Sequence, residues 1–584
     1  MDNSLCIMHK IPCLLILTCL LSACNPFEDI LDGVTFFIGT DIIENPLTIQ
    51  FVDANPLHDQ QPRDLTVQIT GPDADQLFSL DGKLGPTADG NILNIAIEKT
   101  TEATPSDPLE FTVLASAPGY LPVERRFRIT DPSRFRLETV PMASLDALPP
   151  GVSRQTRMLN VPVGGTNSII NLATPLTNGK QERALISIPS GTRFFDADGQ
   201  EITGAVQLDL IHFDTRQWQG RQALPAGLDV DEAIDNGSSL GGGSFHTAGN
   251  IRLTMTQGNQ QVKSFSQSLN VFIEIADDIV NPFTGSFLAQ NNMIPVWSRE
   301  EGSRVWNREG NAQIFPENGK LTARYKQDHL SDWTVSWFLI DRCDTPTALN
   351  FFSTTTEEEA NEYHMLEIDV MSKRGTVLRK YIRLARLYEG QQLFLYDVPS
   401  TGGLVDGLRV KVYEGYSFFC GAAPVFVSPT RANVCIDYDF DLGSSLQTNE
   451  QDTLLMTDMT FHARCDAADE DPLALLPTAA IFYRGFNNSC NEPYRLLTTF
   501  VDGEATFQQL RVGETYDFLI AAGGLYREYR SVTIPAESTT LELVDQVGGF
   551  IDPMEFRYQQ GRLHIRYERA QLPEDVCATW RSIF

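Results

Sequence analysis

Nowhere in its 584 residues does the chain carry eighteen consecutive apolar residues. That is the length a membrane-crossing helix needs, so none is expected. A membrane-spanning barrel is disfavoured on different grounds: Lys, Arg, Asp and Glu are spread along nearly every candidate strand, leaving no regular apolar outer face. There is no Gly-x-x-x-x-Gly-Lys-Ser/Thr loop and no Gly-x-Gly-x-x-Gly opening a helix, so the local signatures of phosphate and dinucleotide binding are missing. The eight histidines are scattered and never form His-Glu-x-x-His, which removes the helical zinc signature. No cofactor is expected. Sites assembled from distant residues leave no local trace, and a glycosidase-like acid pair among 76 carboxylates is equally invisible. Positive charge is scarce, with 45 Lys and Arg against 76 Asp and Glu and a net charge of −31. Such a surface repels nucleic-acid phosphates and anionic headgroups, so a nucleic-acid partner is not expected. It suits a soluble, extracytoplasmic body.

What the chain does have begins at its start. Ile11 to Ala23 is a short, mostly apolar run behind Lys10, closed by the small residues Ser22 and Ala23. As a helix it rises only about 20 Å, too little to span a bilayer. A charged start, a short apolar segment and small residues at the end are the parts of a secretory signal peptide. Leu21-Ser22-Ala23-Cys24 resembles the lipobox of bacterial lipoproteins, in which cleavage precedes a cysteine that receives lipid. That resemblance implies a protein cut after residue 23 and lipidated at Cys24. The acidic "NPFEDILDG" behind it resembles the export signal of surface lipoproteins in the Bacteroidota. The implied location is the outer membrane, lipid-anchored, facing the periplasm or the outside, with the membrane itself as a partner.

Between Cys24 and Cys343 there is no cysteine, and no Cys-x-x-Cys pair occurs anywhere. Six cysteines remain in the C-terminal half: Cys343, Cys420, Cys435, Cys465, Cys490 and Cys577. In an exported chain an even number reads as up to three disulfides, with buried free thiols as the alternative. Their placement suggests Cys465–Cys490, Cys343–Cys420 and Cys435–Cys577.

Short alternating runs punctuated by Gly and Pro recur along the whole chain, as in "LTVQI" (65–69), "LEFTVLAS" (109–116) and "ERRFRIT" (124–130). This is an all-β pattern of tandem immunoglobulin-like or transthyretin-like β-sandwiches. The expected division is a leader at 1–23, a lipidated tether and Ig-like sandwich at 24–148, a central β-rich module at 149–342, a third sandwich at 343–431 and a last one at 432–584. In the central module, "ISIPSGTRFFDADGQEITGAVQLDLIHFDT" (186–215), "IPVWSREEGSRVWNREGNAQI" (294–314) and "HLSDWTVSWF" (329–338) follow in order. That set resembles a β-sandwich module of Bacteroidota surface proteins and of cartilage intermediate layer proteins, a pattern with no associated catalytic residue. "VDGEATFQQLRVGETYDFLIAAGG" (501–524) resembles carboxypeptidase regulatory-like domains, which are typically non-catalytic.

Trp297 and Trp306 fall on a hairpin around Gly302. They are read as core; the alternative is a sugar-stacking platform formed with Trp218, if exposed. "CIDYDFDLG" (435–443) offers Asp437, Asp439 and Asp441 as calcium candidates, but lacks the Gly and Glu of an EF-hand loop. Alternation with Ile436, Tyr438, Phe440 and Leu442 instead suggests a strand with its acids outward. Metal is therefore not expected. Ser244 and His246 in "GGGSFHTAG" are read as part of a Gly turn entering a strand. "STTTEEEANE", in which Thr354 and Glu357 are spaced to cap a helical turn, and "DAADEDP" (466–472) are read as acidic loops. The whole points to a non-enzymatic, lipid-anchored envelope protein with a display, adhesion or partner-binding role, toward protein or glycan. The rival is a glycan-binding or hydrolase accessory with a site between domains. Sandwiches joined end to end favour the first; a deep cleft gathering carboxylates or histidines favours the second.

Overall fold

The computed structural model describes residues 43–584 except 56, 59, 81–82, 177–181, 355, 357–362, 401–404, 416–417, 419–420, 444–454, 466–478, 486–493, 501–502, 523–524, 548–550 and 573–584. The leader, Cys24, Glu357, the 466–472 loop and three candidate cysteines (Cys420, Cys490 and Cys577) lie outside the described residues, as does the side chain of Cys465. The rest is almost entirely strand, in tandem β-sandwiches.

In the first sandwich, Ile43–Asp53 sits between Ile92–Glu98, which it pairs antiparallel, and Arg136–Met142, which it pairs parallel. Thr66–Thr70, Leu109–Ser116 and Val123–Ile129 form the facing sheet. Alternate residues of both sheets, among them Leu47, Phe51, Phe111, Val113 and Phe127, enter one core. The central module is a 14-stranded sheet. Leu159 and Val161 at one end of its strand order share a core with Phe194 and Ile202 at the other, so the sheet curls back on itself.

The third sandwich sets a sheet of Gln391–Leu395, Thr347–Ser353 and Tyr438–Gly443 against one built on Val377–Arg386, Tyr363–Ser372 and Val405–Glu414. Its extent corrects the expected boundary after residue 431. Tyr438–Gly443 pairs parallel with Thr347–Ser353, Leu349 opposite Tyr438, and Tyr438, Phe440 and Leu442 complete that core. The last sandwich faces a five-stranded sheet with a four-stranded one; Phe507, Leu510, Tyr516, Phe518 and Ile520 all enter its core.

The sandwiches do not join end to end. Ile92 and Leu137 of the first, Met365, Leu384 and Tyr413 of the third, and Phe482 and Leu519 of the last are buried together in one apolar seam. Polar contacts flank it. Arg63 pairs with Glu528 at 2.7 Å, and the Tyr526 hydroxyl donates to Asn91 Oδ1 at 3.1 Å. Gly90 (φ +59°) lies flat against the Tyr526 ring, where a Cβ would stand only 2.2 Å from ring carbons.

The same parallel pairing corrects the cysteine scheme. Cys343 and Cys435 each lie just upstream of the two strands that run side by side. They meet with Cα atoms 5.2 Å apart and are bonded to each other, not to Cys420 and Cys577. The bond ties two chain entries into one sheet edge across 92 residues. Replacing both by serine is expected to lower the stability of the third sandwich by roughly 2–4 kcal/mol, by freeing its unfolded chain. Chemical unfolding checks this, and non-reducing peptide mapping should recover a Cys343–Cys435 cross-linked peptide.

Candidate functional site

A cleft of about 300 Å³ opens where the first, central and third units meet. Nine arginines and one lysine line it, against five carboxylates. In a chain of net charge −31, this is a local inversion of sign.

Three strands and one short helix supply seven of the nine guanidinium groups; Arg299 ends the strand Met293–Arg299 and Arg304 lies in the loop after it. Val123–Ile129 contributes Arg125, Arg126 and Arg128; Arg136–Met142 contributes Arg136; Val377–Arg386 contributes Arg379 and Arg383; the helix Trp218–Gln222 contributes Arg221. Strand parity is informative here. Arg125 shares the phase of Val123 and Phe127, Arg136 that of Val140 and Met142, and Arg383 that of Tyr381 and Ala385. All six of those neighbours are core residues of their sandwiches. Three arginines therefore occupy inward-phase positions where an apolar side chain belongs.

Most of the cleft cations are held by carboxylates. Arg128 meets Asp397 at 2.8 Å and also pairs with Glu110; Arg126 reaches Asp231 and Asp397; Arg304 meets Asp231 at 2.6 Å; Arg379 meets Asp229 at 2.6 Å; Arg299 bridges Glu124 and Asp332. Burial alone would raise the Asp397 carboxyl, but Arg128, Arg342 and Arg126 overrule it and hold it below the usual range. Of these pairs only Arg299–Asp332 is close to fully buried; there, removing one partner typically costs about 3–5 kcal/mol, because the other charge is left stranded, whereas the partly exposed pairs contribute less. Arg125 is held differently. It donates to the carbonyls of Gln222 (2.6 Å), Leu224 (3.2 Å) and Pro225 (2.9 Å), stitching the first sandwich to the central module. Burial lowers its guanidinium to about 10, which leaves it charged at neutral pH.

Three cations are left over. Arg136 donates to the Arg128 carbonyl and Arg383 to that of Ile382, while the Arg221 side chain has no hydrogen-bond partner among the described residues. None of the three pairs with a carboxylate among the described residues. Burial lowers both Arg136 and Arg221. For the first, the Glu138 charge offsets part of this and the Arg383 charge opposes that offset; for the second, the Arg379 charge adds to the lowering and Asp369, Glu367 and Asp214 offset part of it. Arg221 keeps some exposure because it lines the cleft rather than the core.

The tryptophans divide. Trp297 and Trp306 are 2% and 6% exposed and pack with Phe245 and Phe338, which corrects the platform alternative for these two. The Trp297 indole donates to the Ser336 carbonyl at 3.1 Å. Trp218 is half-buried, tilts against Phe418 at 4.6 Å and lines the cleft.

Asp437, Asp439 and Asp441 point outward, and each accepts a local donor: the Ala348 amide, the Asn350 side chain and the Gly443 amide, respectively. Ile436 departs from the expected alternation; it lies ahead of the strand and is 47% exposed. His246 is buried and stacked on Trp337, with its nitrogens facing the carbonyls of Val280 and Leu378; burial lowers it to about 4, so it is neutral at pH 7. Gly237-Ser238-Ser239-Leu240-Gly241 spells a Gly-x-Ser-x-Gly spacing. Ser239 sits exposed just after a hairpin turn at Asn236-Gly237, which is not the strand-to-helix elbow that activates such a serine.

No protein-family model matches the chain, and no curated protein does. Among solved structures, the Bacillus anthracis TIE protein aligns at 11% identity over 73% of this chain and 58% of its own, with a TM-score of 0.11. The Streptococcal ancillary pilin aligns at 8% identity over 49% of this chain and 93% of its own, with a TM-score of 0.12. The chain thus spans just over half the length of the first of these.

A second titratable cluster lies in the central module, outside the cleft. Burial pushes the Glu182 carboxyl up to about 8, and the Asp214 charge adds to the rise. The Thr215 amide and hydroxyl and the Arg216 guanidinium at 3.9 Å offset only part of it. The folded chain therefore holds a proton that the unfolded chain releases above pH ~4.5. The contribution of Glu182 to stability therefore falls as pH rises from about 4.5 toward 8, by roughly a kcal/mol per pH unit. Glu182→Gln, neutral and of similar shape, is expected to flatten that slope. Urea unfolding between pH 5 and 8 checks it, and equal slopes in both proteins would contradict the assignment.

Proposed function

We propose that this chain is a lipid-anchored envelope protein that works by binding rather than by catalysis, with the arginine-lined cleft as its ligand seat. The observation that carries the reading is the charge inversion: a chain with a large excess of acid gathers nine arginines around one cavity. Guanidinium groups stay protonated through the physiological range, so they bind and orient anions but make poor proton shuttles. A cleft of this chemistry suits capture. It is also a built feature, since the units that form it are locked together by a shared apolar seam and by the Arg125 bonds to three carbonyls.

The anchor rests on the Leu21-Ser22-Ala23-Cys24 motif and its acidic successor. Two or three acyl chains hold firmly, because each buried CH₂ contributes about 0.8 kcal/mol and one chain alone is marginal. Cys24→Ser is expected to shift the protein from the detergent phase to the aqueous phase, or to leave the leader uncleaved. Detergent partitioning with mass spectrometry of the N-terminus reads both. An unacylated wild-type N-terminus with unchanged partitioning would end the lipoprotein reading.

A further inference from the structure

We infer that the cleft takes a compact polyanion, a sugar-sized ring bearing two or more carboxylate, sulfate or phosphate groups, and that Arg136, Arg221 and Arg383 hold those groups. The inference rests on reading the cleft as the ligand seat and adds the ligand's class.

Six of the cleft cations, Arg126, Arg128, Arg299, Arg304, Arg379 and Lys380, have carboxylate partners, and Arg125 is occupied by carbonyls. Arg136, Arg221 and Arg383 make no direct ion pair with a carboxylate among the described residues; Glu138 attracts the first and Asp369, Glu367 and Asp214 the second only at longer range, while the Arg383 and Arg379 charges repel them. Holding unpaired cations at partly dehydrated positions opposes folding. Scarcity of acid does not explain it: the chain carries 31 more acidic than basic residues. A purely structural cluster would be paired internally. The missing negative charge is therefore supplied from outside.

Shape narrows the class. The planar fork of arginine matches the paired oxygens of carboxylate, sulfate and phosphate. Three such forks on three different units suit a ligand with more than one anionic group. About 300 Å³ lies at the small end of ligand pockets and accommodates one or two sugar rings, not a folded protein element. Half-buried Trp218 and Tyr396 give the scaffold of such a ring apolar surface to rest on. The overall negative charge does not forbid entry. At physiological ionic strength charges are screened beyond about 8 Å, so the groups lining the cleft dominate once the ligand arrives.

Full-length protein in detergent, titrated by calorimetry with a sulfated heparin-derived disaccharide, a uronate disaccharide, inorganic pyrophosphate and neutral cellobiose, tests this. At least one anionic probe should bind, more weakly as salt rises. Arg221→Gln and Arg383→Gln should each weaken binding tenfold or more, while leaving the melting temperature of the unliganded protein unchanged or raised, since neither breaks a direct ion pair. Binding of the saccharides alone assigns an acidic glycan, and binding of pyrophosphate alone assigns a phosphorylated ligand; either supports the inference. Failure of all three anions overturns it, as does binding that survives both substitutions, or a melting temperature that drops in both variants. If cellobiose binds, is lost in Trp218→Ala, and the anions do not bind, the polyanion is refuted while the cleft remains the ligand seat.

Discussion

Everything distinctive about this molecule depends on one apolar seam, where side chains of the first, third and last sandwiches are buried against one another. A tandem array of β-sandwiches ordinarily meets through small, polar junctions and moves as beads. Here Leu137 lies on the strand that carries Arg136, and Leu384 on the strand that carries Arg383. The alternation of a β-strand sends Leu137 and Leu384 to the seam and their preceding arginines to the opposite phase. Hydrophobic burial on one face thus fixes the spacing of charges on the other. Without the seam, the repulsion among Arg136, Arg383, Arg221 and Arg379 would be relieved by letting the units part.

Much of the architecture was legible in the sequence. "LEFTVLAS" is the strand Leu109–Ser116 residue for residue, and "ERRFRIT" is displaced by one from Val123–Ile129. Alternation and Gly-rich turns are local properties, so they survive reading without a structure. The pairing of Cys343 with Cys435 was not legible. It depends on a parallel strand pairing across a long crossover, and nothing local announces which strands will be neighbours. The same pairing moved the end of the third unit past Tyr438–Gly443.

The cleft was hidden for a different reason. A net charge of −31 is an average over the whole chain, and it pointed away from anionic partners just where the structure gathers arginine. Yet a signal was present. Arg125, Arg136 and Arg383 stand at positions that the period of their own strands marks as interior. A charged residue at an inward phase violates the pattern that specifies the fold, and such violations concentrate at functional sites. Three of them on strands distant in sequence were a better guide than His246, the acids Asp437, Asp439 and Asp441, or Trp297 and Trp306, which the structure absorbs into cores and local hydrogen bonds.

The central claim is that the seam builds a cleft with unspent positive charge. Anomalous diffraction from crystals soaked in selenate, an oxyanion that mimics sulfate and is located by its selenium, tests it most directly. The account predicts an ordered selenate within hydrogen-bond distance of at least two of Arg136, Arg221 and Arg383, in a cleft whose walls remain in place. Crystals in which those guanidinium groups are instead paired with carboxylates of the chain itself, with no selenate between the three units at saturating concentration, would contradict it.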